Sequence, residues 1–381
     1  MKEELALFIQ SLFSTQGQIP LHAPFISELE DLNVQQELQS GLFSTASTSV
    51  AKFEEQLSSH IKSKYVVATN SGTAALHTAL LLSGVTIDDM VLTSPLSFVA
   101  TANVIRYCGA TPHFIDVSEK NLAISPIKLK SFLQNECDLK SGLCVHKATG
   151  KKIRVCLLVH AFGNAAELSE ITEILNEFSI ELVEDAAQAF LSSYKEKFCG
   201  TFGRFGCYSF NGNKFLTTGS GGALVCQNEA DYIAALQLVS QGKEVRGYGY
   251  YHSMVGYNYK MNGLSAVIGL AQLLNVDEIK RRKKAIAEAY RDFFQEWGIE
   301  LIREQSGTES NFWLTNILLH SKEEKNTVID YLNASKIEAR PIWWPIDQLP
   351  MYQNKTLGKC NVANTIFERL ISLPSGSLYK V

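Results

Sequence analysis

Lys214 closes the stretch Ser209-Phe210-Asn211-Gly212-Asn213-Lys214, which leads through Thr217-Thr218-Gly219-Ser220-Gly221-Gly222 into the apolar run ALVC. A lysine among hydroxyls, amides and glycines is unlike a solvated surface lysine, and the glycines would let backbone approach a flat ligand closely. An amine that attacks a carbonyl must be unprotonated, a state favoured by desolvation or by neighbouring positive charge. A glycine-rich turn with an incidental lysine would give the same letters. Asn70-Ser71-Gly72-Thr73 lies between an apolar run and a helical pattern. Free N–H groups at a helix start, a glycine and a hydroxyl make a seat for an anion such as phosphate. An ordinary N-cap is the alternative. Glu184-Asp185 ends the apolar run IELVED and precedes Ala186-Ala187-Gln188. A carboxylate at a strand's carboxyl end can pair with a protonated ring nitrogen or a metal, or it can cap the next helix.

The elements that must hold these residues alternate in type. KYVVAT (64–69), MVLTS (90–94), TPHFIDV (111–117), VCLLVH (155–160) and IELVED (180–185) predict strands. TAALHTALLLSG, SFVATANVIRYCG and LSEITEILNEF predict the helices between them. That cadence implies right-handed crossovers and an α/β fold with a mainly parallel, doubly wound sheet covered on both faces. The character changes after Gly247. We expect a large domain over residues 1–250, with MKEELALFIQSLF as an amphipathic N-terminal helix, and a smaller α+β domain over 251–381.

Segment 135–154 reads as a polar surface hairpin. Cys137, Cys144 and His146 within it are spaced too loosely for a metal site, and no metal is expected. The basic run Lys280 to Lys284 cannot form one helical face and reads as solvated helix. The chain has 381 residues, 46% hydrophobic and 19% charged, which predicts a packed globule rather than a disordered chain. Its 39 acidic and 35 basic residues give a net charge of −4, so nothing draws it to nucleic acid or to an anionic membrane. Eight cysteines without a CxxC pair and no leader pattern suggest a cytoplasmic protein. GxxxxGK[ST], GxSxG and HExxH are absent.

A phosphate seat, a carboxylate for a ring nitrogen and a lysine for an aldehyde are the three handles of pyridoxal 5'-phosphate. From about Ile19 onward the chain resembles the fold-type-I aminotransferases of the DegT/DnrJ kind, which act on nucleotide-linked keto-sugars. The resemblance is carried by NSGTAAL (70–76), VEDAAQA (183–189), YSFNGNKFLTTGSGGALV (208–225) and GYNYKMNGLSAVIGLAQL (256–273). It implies that Lys214 bonds the cofactor and moves the proton, and that Asp185 keeps the pyridine nitrogen protonated. By the same resemblance Gln188 lies near the phenolic oxygen, Phe98 stacks on the ring, and Gly72, Thr73 and Ser209 cradle the phosphate. Asn258 would reach the phosphate of a partner subunit, which implies a homodimer with shared active sites.

Within the family the chain looks most like the legionaminic acid and bacillosamine subgroup. IPLHAP, SFNGNK, CVHKATGKKIRVCLLVHAFGNA and RPIWWPIDQLPMY carry that likeness. Such enzymes pass an amino group from L-glutamate to C4 of a nucleotide-linked 4-keto-6-deoxy-N-acetylhexosamine. A perosamine-like or C3-keto sugar is the alternative substrate. Dehydratases of the superfamily carry histidine where Lys214 stands, and a cofactor-binding regulator is the non-enzymatic alternative. VHAFGNA in place of VHTFGHP, and Asp347 in place of a histidine, are departures expected to touch the sugar pocket. Arg340, Trp343 and Trp344 suit either a nucleotide or a core edge.

Overall fold

The computed structural model describes residues 1–13, 17–246, 248–302, 304–353 and 358–377. Among the described residues the central sheet has nine strands, seven of them in the spatial order Tyr65–Thr69, Gly222–Cys226, Phe205–Ser209, Glu181–Asp185, Lys152–Val159, Asp89–Thr93 and Thr111–Phe114. Gly222–Cys226 runs antiparallel to both of its neighbours, and the other neighbouring pairs are parallel. Successive side chains of a strand point to opposite faces, so apolar runs serve two layers at once. Val91, Val155, Leu157 and Val183 meet the helices Gly72–Leu82, Ala100–Tyr107 and Glu229–Val239 on one face. Met90, Cys156, Leu158 and Leu182 meet Pro126–Glu136 and Leu168–Glu177 on the other. This is the doubly wound, mainly parallel α/β sheet that the alternating pattern predicts.

The expected hairpin is present as Cys137–Lys140 and Leu143–His146, turning on Ser141 and Gly142 at positive φ. It is less of a surface feature than its composition suggests. Cys137, Cys144 and His146 are buried because the second strand joins the sheet beside Lys152 and Ile153. Among the described residues, no group of three or more His, Cys, Asp or Glu is placed to hold a metal ion. No described helix is long and apolar enough to cross a membrane.

A second, antiparallel sheet has Thr315–Leu318 and Leu370–Leu373 at its centre, with Glu300–Leu301 and Arg340–Pro341 at its edges. Two elements depart from the boundary expected near residue 250. Helix Lys2–Leu12 places Leu5 and Ile9 against Ile286, Tyr290 and Leu332 of the second unit. Helix Gly263–Leu274 packs on Glu28–Ser40 and Thr48–Ile61 of the first. Each apolar face is buried where a complementary face exists, whatever the order along the chain.

Phe53, on helix Thr48–Ile61, is fully buried with its ring edge-on to Phe210 at 5.6 Å. It joins that helix to the strand end from which the Lys214 loop departs. Phe53→Ala is expected to cost about 3–5 kcal/mol in urea unfolding, since a packed core relaxes only partly around such a cavity.

Candidate active site

The carboxyl ends of the parallel strands open into a cavity of about 240 Å³. Seven of the eight residues expected at a site line it: Gly72, Thr73, Phe98, Asp185, Gln188, Ser209 and Lys214. Asn258 does not line it. That residue is exposed on the rim, where its carbonyl accepts from Asn70 Nδ2 at 3.0 Å.

One end of the cavity is a helix start. Ser71 caps Gly72–Leu82, its hydroxyl accepting from the Ala74 N–H at 3.1 Å and its carbonyl from Ala75 at 3.2 Å. The first-turn N–H groups of Gly72 and Thr73 have no intrahelical partner and border the cavity with the Ser209 hydroxyl. Glycine is required here by close approach. A Cβ on residue 72 would fall 2.7 Å from Ser209 Cβ, and one on Gly222 would fall 2.5 Å from the Gly72 nitrogen. The N-cap read from the sequence is therefore present, and the Gly72 and Thr73 N–H groups beside it border the cavity.

Asp185 is the last residue of Glu181–Asp185 and is buried at the cavity wall. One of its carboxylate oxygens accepts from Thr101 Oγ1 at 2.7 Å, the other from the Ala187 N–H at 3.1 Å. Burial raises its pKa above the ordinary aspartate value, although both hydrogen bonds and the charge of Lys214 oppose the shift. Burial pulls the Lys214 amine down to about 8, against the attraction of Asp185. Gln188 Oε1 accepts from the Phe162 N–H at 2.7 Å, which leaves its NH₂ as the donor end available to the cavity.

The sequence profile of the DegT/DnrJ/EryC1/StrS aminotransferase family matches residues 24–380. The chain belongs to this family. GDP-perosamine synthase of Escherichia coli O157:H7 is 32% identical over 357 residues, covering 94% of this chain and 93% of that protein. The UDP-4-amino-4,6-dideoxy-N-acetyl-beta-L-altrosamine transaminase of Campylobacter jejuni subsp. jejuni serotype O:23/36 (strain 81-176) is 28% identical over 344 residues, covering 87% and 85%. Among solved structures, the aminotransferase TlmJ from Streptoalloteichus hindustanus superposes with a TM-score of 0.84 at 25% identity, covering 93% of each chain. The protein is thus a pyridoxal phosphate-dependent sugar aminotransferase.

The residues present fit that cofactor. The glycine-built seat with its two free N–H groups suits a phosphate, the buried carboxylate suits a protonated ring nitrogen, and the amine that has lost much of its proton affinity suits an aldehyde. Glu184, paired with Asp185 in the sequence reading, belongs elsewhere. It points away from the cavity, accepting from His160 Nε2 at 2.9 Å and from the Gly200, Phe202 and Gly203 N–H groups at 2.6–2.8 Å. Ala166 N–H donates to His160 Nδ1 at 3.2 Å, which makes Nε2 the protonated nitrogen.

The two sequence departures lie outside the lining. In VHAFGNA, Phe162 supplies the N–H that orients Gln188 and stacks on Trp343 at 4.9 Å. Asp347 sits in the short helix Ile346–Gln348, its carboxyl raised to about 6 by burial and by Asp116 against a backbone hydrogen bond. Sequence reasoning missed Thr101, although its place three residues after Phe98 in a helical pattern puts both on one side of a turn. It also missed Trp313, which no local pattern marks.

With a pKa near 8, about a quarter of the Lys214 amine is neutral at pH 7.5, against roughly one part in a thousand for an ordinary lysine. Acetic anhydride pulse-labelling of the cofactor-free chain across pH, read by mass spectrometry of the Lys214 peptide, is expected to give a midpoint near 8. Asp185→Asn removes the charge that favours the ammonium, so its midpoint is expected to fall by roughly one unit.

Proposed function

We propose that this aminotransferase converts a nucleotide-linked 4-keto-6-deoxy-N-acetylhexosamine to the 4-amino sugar, with L-glutamate as amino donor. The observation that carries the reading is the placement of Lys214, Asp185 and the Gly72 helix start around one cavity. The Campylobacter relative, named for a 4-amino-4,6-dideoxy-N-acetyl sugar on UDP, supports the position and class of the new amine. A perosamine-type substrate on GDP is the second reading, favoured by the 32% identical Escherichia coli protein.

Pyridoxal phosphate, when bound, supplies an electron-withdrawing ring that makes a proton removable from the carbon bearing the amine. The protein's part is orientation and proton handling. The Gly72 and Thr73 N–H groups and the Ser209 hydroxyl hold the phosphate, fixing the ring in the cavity. Asp185, kept acceptor-ready by Thr101 and Ala187, holds a proton on the ring nitrogen. Gln188 would offer its NH₂ to the phenolic oxygen, and Phe98 would stack on the ring. Lys214 Nζ takes the proton from the donor's α-carbon and later delivers one to C4 of the sugar, so the face it occupies sets the configuration of the new amine.

The unit we propose is a homodimer working in a cytoplasmic glycan pathway of the legionaminic acid or bacillosamine type. Asn258 lies outside its own cavity, and the chain segment before it exposes Tyr248, Tyr250, Tyr251 and Val255, apolar surface suited to a second subunit.

Purified protein is expected to show the visible absorbance of bound cofactor, lost when glutamate is added. Lys214→Ala is expected to lose at least a thousandfold in turnover, the scale of a missing general acid–base and covalent anchor. Full turnover by that variant at the wild-type rate would refute the assignment. A panel of UDP- and GDP-linked 4-keto-6-deoxy sugars, with and without the N-acetyl group, separates the two substrate readings by kcat/KM.

A further inference from the structure

We propose that Trp313 is the positioning residue for the reactive amine: its indole face is the seat on which Lys214 Nζ rests whenever that amine is not bonded to cofactor. The inference rests on the reading of Lys214 as the reactive amine and adds a residue from the second structural unit to that site. Nζ lies 4.3 Å from the Trp313 ring centroid, and the tryptophan is 2% exposed. An ammonium over an indole face is held by the ring quadrupole, most strongly where water is excluded.

The seat is fixed from every side. The Trp313 N–H donates to Asn311 Oδ1 at 2.9 Å, and the indole Nε1–H donates to the carbonyl of Asn213 at 2.7 Å, one residue before Lys214. The Trp313 carbonyl accepts from Lys283 Nζ at 3.1 Å. That second lysine is itself buried, donates to the Ser375 carbonyl at 2.8 Å and lies 2.8 Å from His22 Nε2. Phe162 and Trp343 lie near-parallel to the indole, at 6.4 and 6.0 Å. Asn311 also donates to the carbonyls of Gln188 and Phe190, tying the seat to the segment that follows Asp185.

The chemistry gives such a seat a purpose. Lys214 would hold the cofactor at rest and would be a free amine while it serves as proton carrier. In that free state it hangs on a four-carbon stem with several rotamers. An indole face selects the ammonium, the form Lys214 takes once it has accepted a proton, and keeps it beside the cavity. The charge that reaches Lys214 is that of Asp185; His22, kept neutral by burial, Lys283 and Lys214 itself, lies on the same side, with Lys283 one hydrogen bond beyond it. None of the three is altered in the variants below.

The test is the same pulse-labelling titration of Lys214 in the full, cofactor-free chain, joined to steady-state kinetics of the loaded enzyme. Trp313→Leu removes the face, and the midpoint is expected to fall by about 0.5–1.5 units, with Trp313→Phe between leucine and wild type. In the loaded enzyme Trp313→Leu is expected to lower kcat about tenfold with KM within about twofold. Fluorinated tryptophan incorporated throughout the chain, which holds four tryptophans, weakens the quadrupole at constant shape. It is expected to lower the midpoint stepwise with fluorine number, and it keeps the idea testable if the leucine variant does not fold. A midpoint that stays constant or rises across either series overturns the proposal. The titration reads the Lys214–Trp313 contact with no sugar present, so a wrong substrate assignment leaves its result untouched.

Discussion

Two groups of opposite charge, the buried Asp185 carboxylate and the half-buried Lys214 amine, share the wall of one cavity, and the architecture of the site follows from that constraint. An isolated buried charge is costly, and each group responds by shifting its proton affinity toward its neutral form. Their mutual attraction offsets part of the cost, and the hydrogen bonds from Thr101 and Ala187 to the carboxylate offset more. The result is a carboxylate ready to accept a proton-bearing nitrogen and an amine with a usable neutral fraction. Both properties come from burial, so whatever keeps water out is part of the chemistry.

Neighbouring carboxylates in the chain serve opposite ends. Strand geometry sends Asp185 into the cavity and Glu184 to the other face, where it satisfies three backbone N–H groups of the 200–203 turn and orients His160. The strand Phe205–Ser209 follows directly from that turn and delivers Ser209 and Lys214 to the site. Glu184 therefore braces the turn that leads to the Lys214 loop, while its neighbour faces the cavity. The same economy appears at the helix start, where the Ser71 side chain closes the helix and the adjoining Gly72 leaves its N–H open.

The second structural unit contributes more than a cover. Asn311 and Trp313 bind the segment after Asp185 and the loop before Lys214, so the spacing of the two charged groups is fixed from outside the parallel sheet. Lys283 shows how far tertiary context can override composition. Within a five-residue basic run, four side chains find surface carboxylates at Glu309, Glu278 and Glu288, while Lys283 is buried among carbonyls and a histidine. Burial lowers its pKa to about 7. A run of like charges predicts a solvated helix, yet one position in each helical turn must still face the core.

The sequence by itself determined the order of strands and helices, the layered parallel sheet and the local chemistry of three stretches. Each depends on short-range rules: side-chain alternation, helix starts, and the steric freedom of glycine beside a strand end. It also placed Phe98 and Gln188 by resemblance, and both line the cavity. Resemblance pointed to Asp185, but only the tertiary structure showed where Glu184 goes, because the phase of a strand is set by what packs on each face. Only it decided that the N-terminal helix docks on helices Val276–Gln295 and Lys322–Ala334, that Lys283 is buried, and that the Trp313 indole lies beneath the Lys214 amine. Those are meetings of distant segments, fixed by complementary apolar faces and buried hydrogen bonds that leave no periodic trace along the chain.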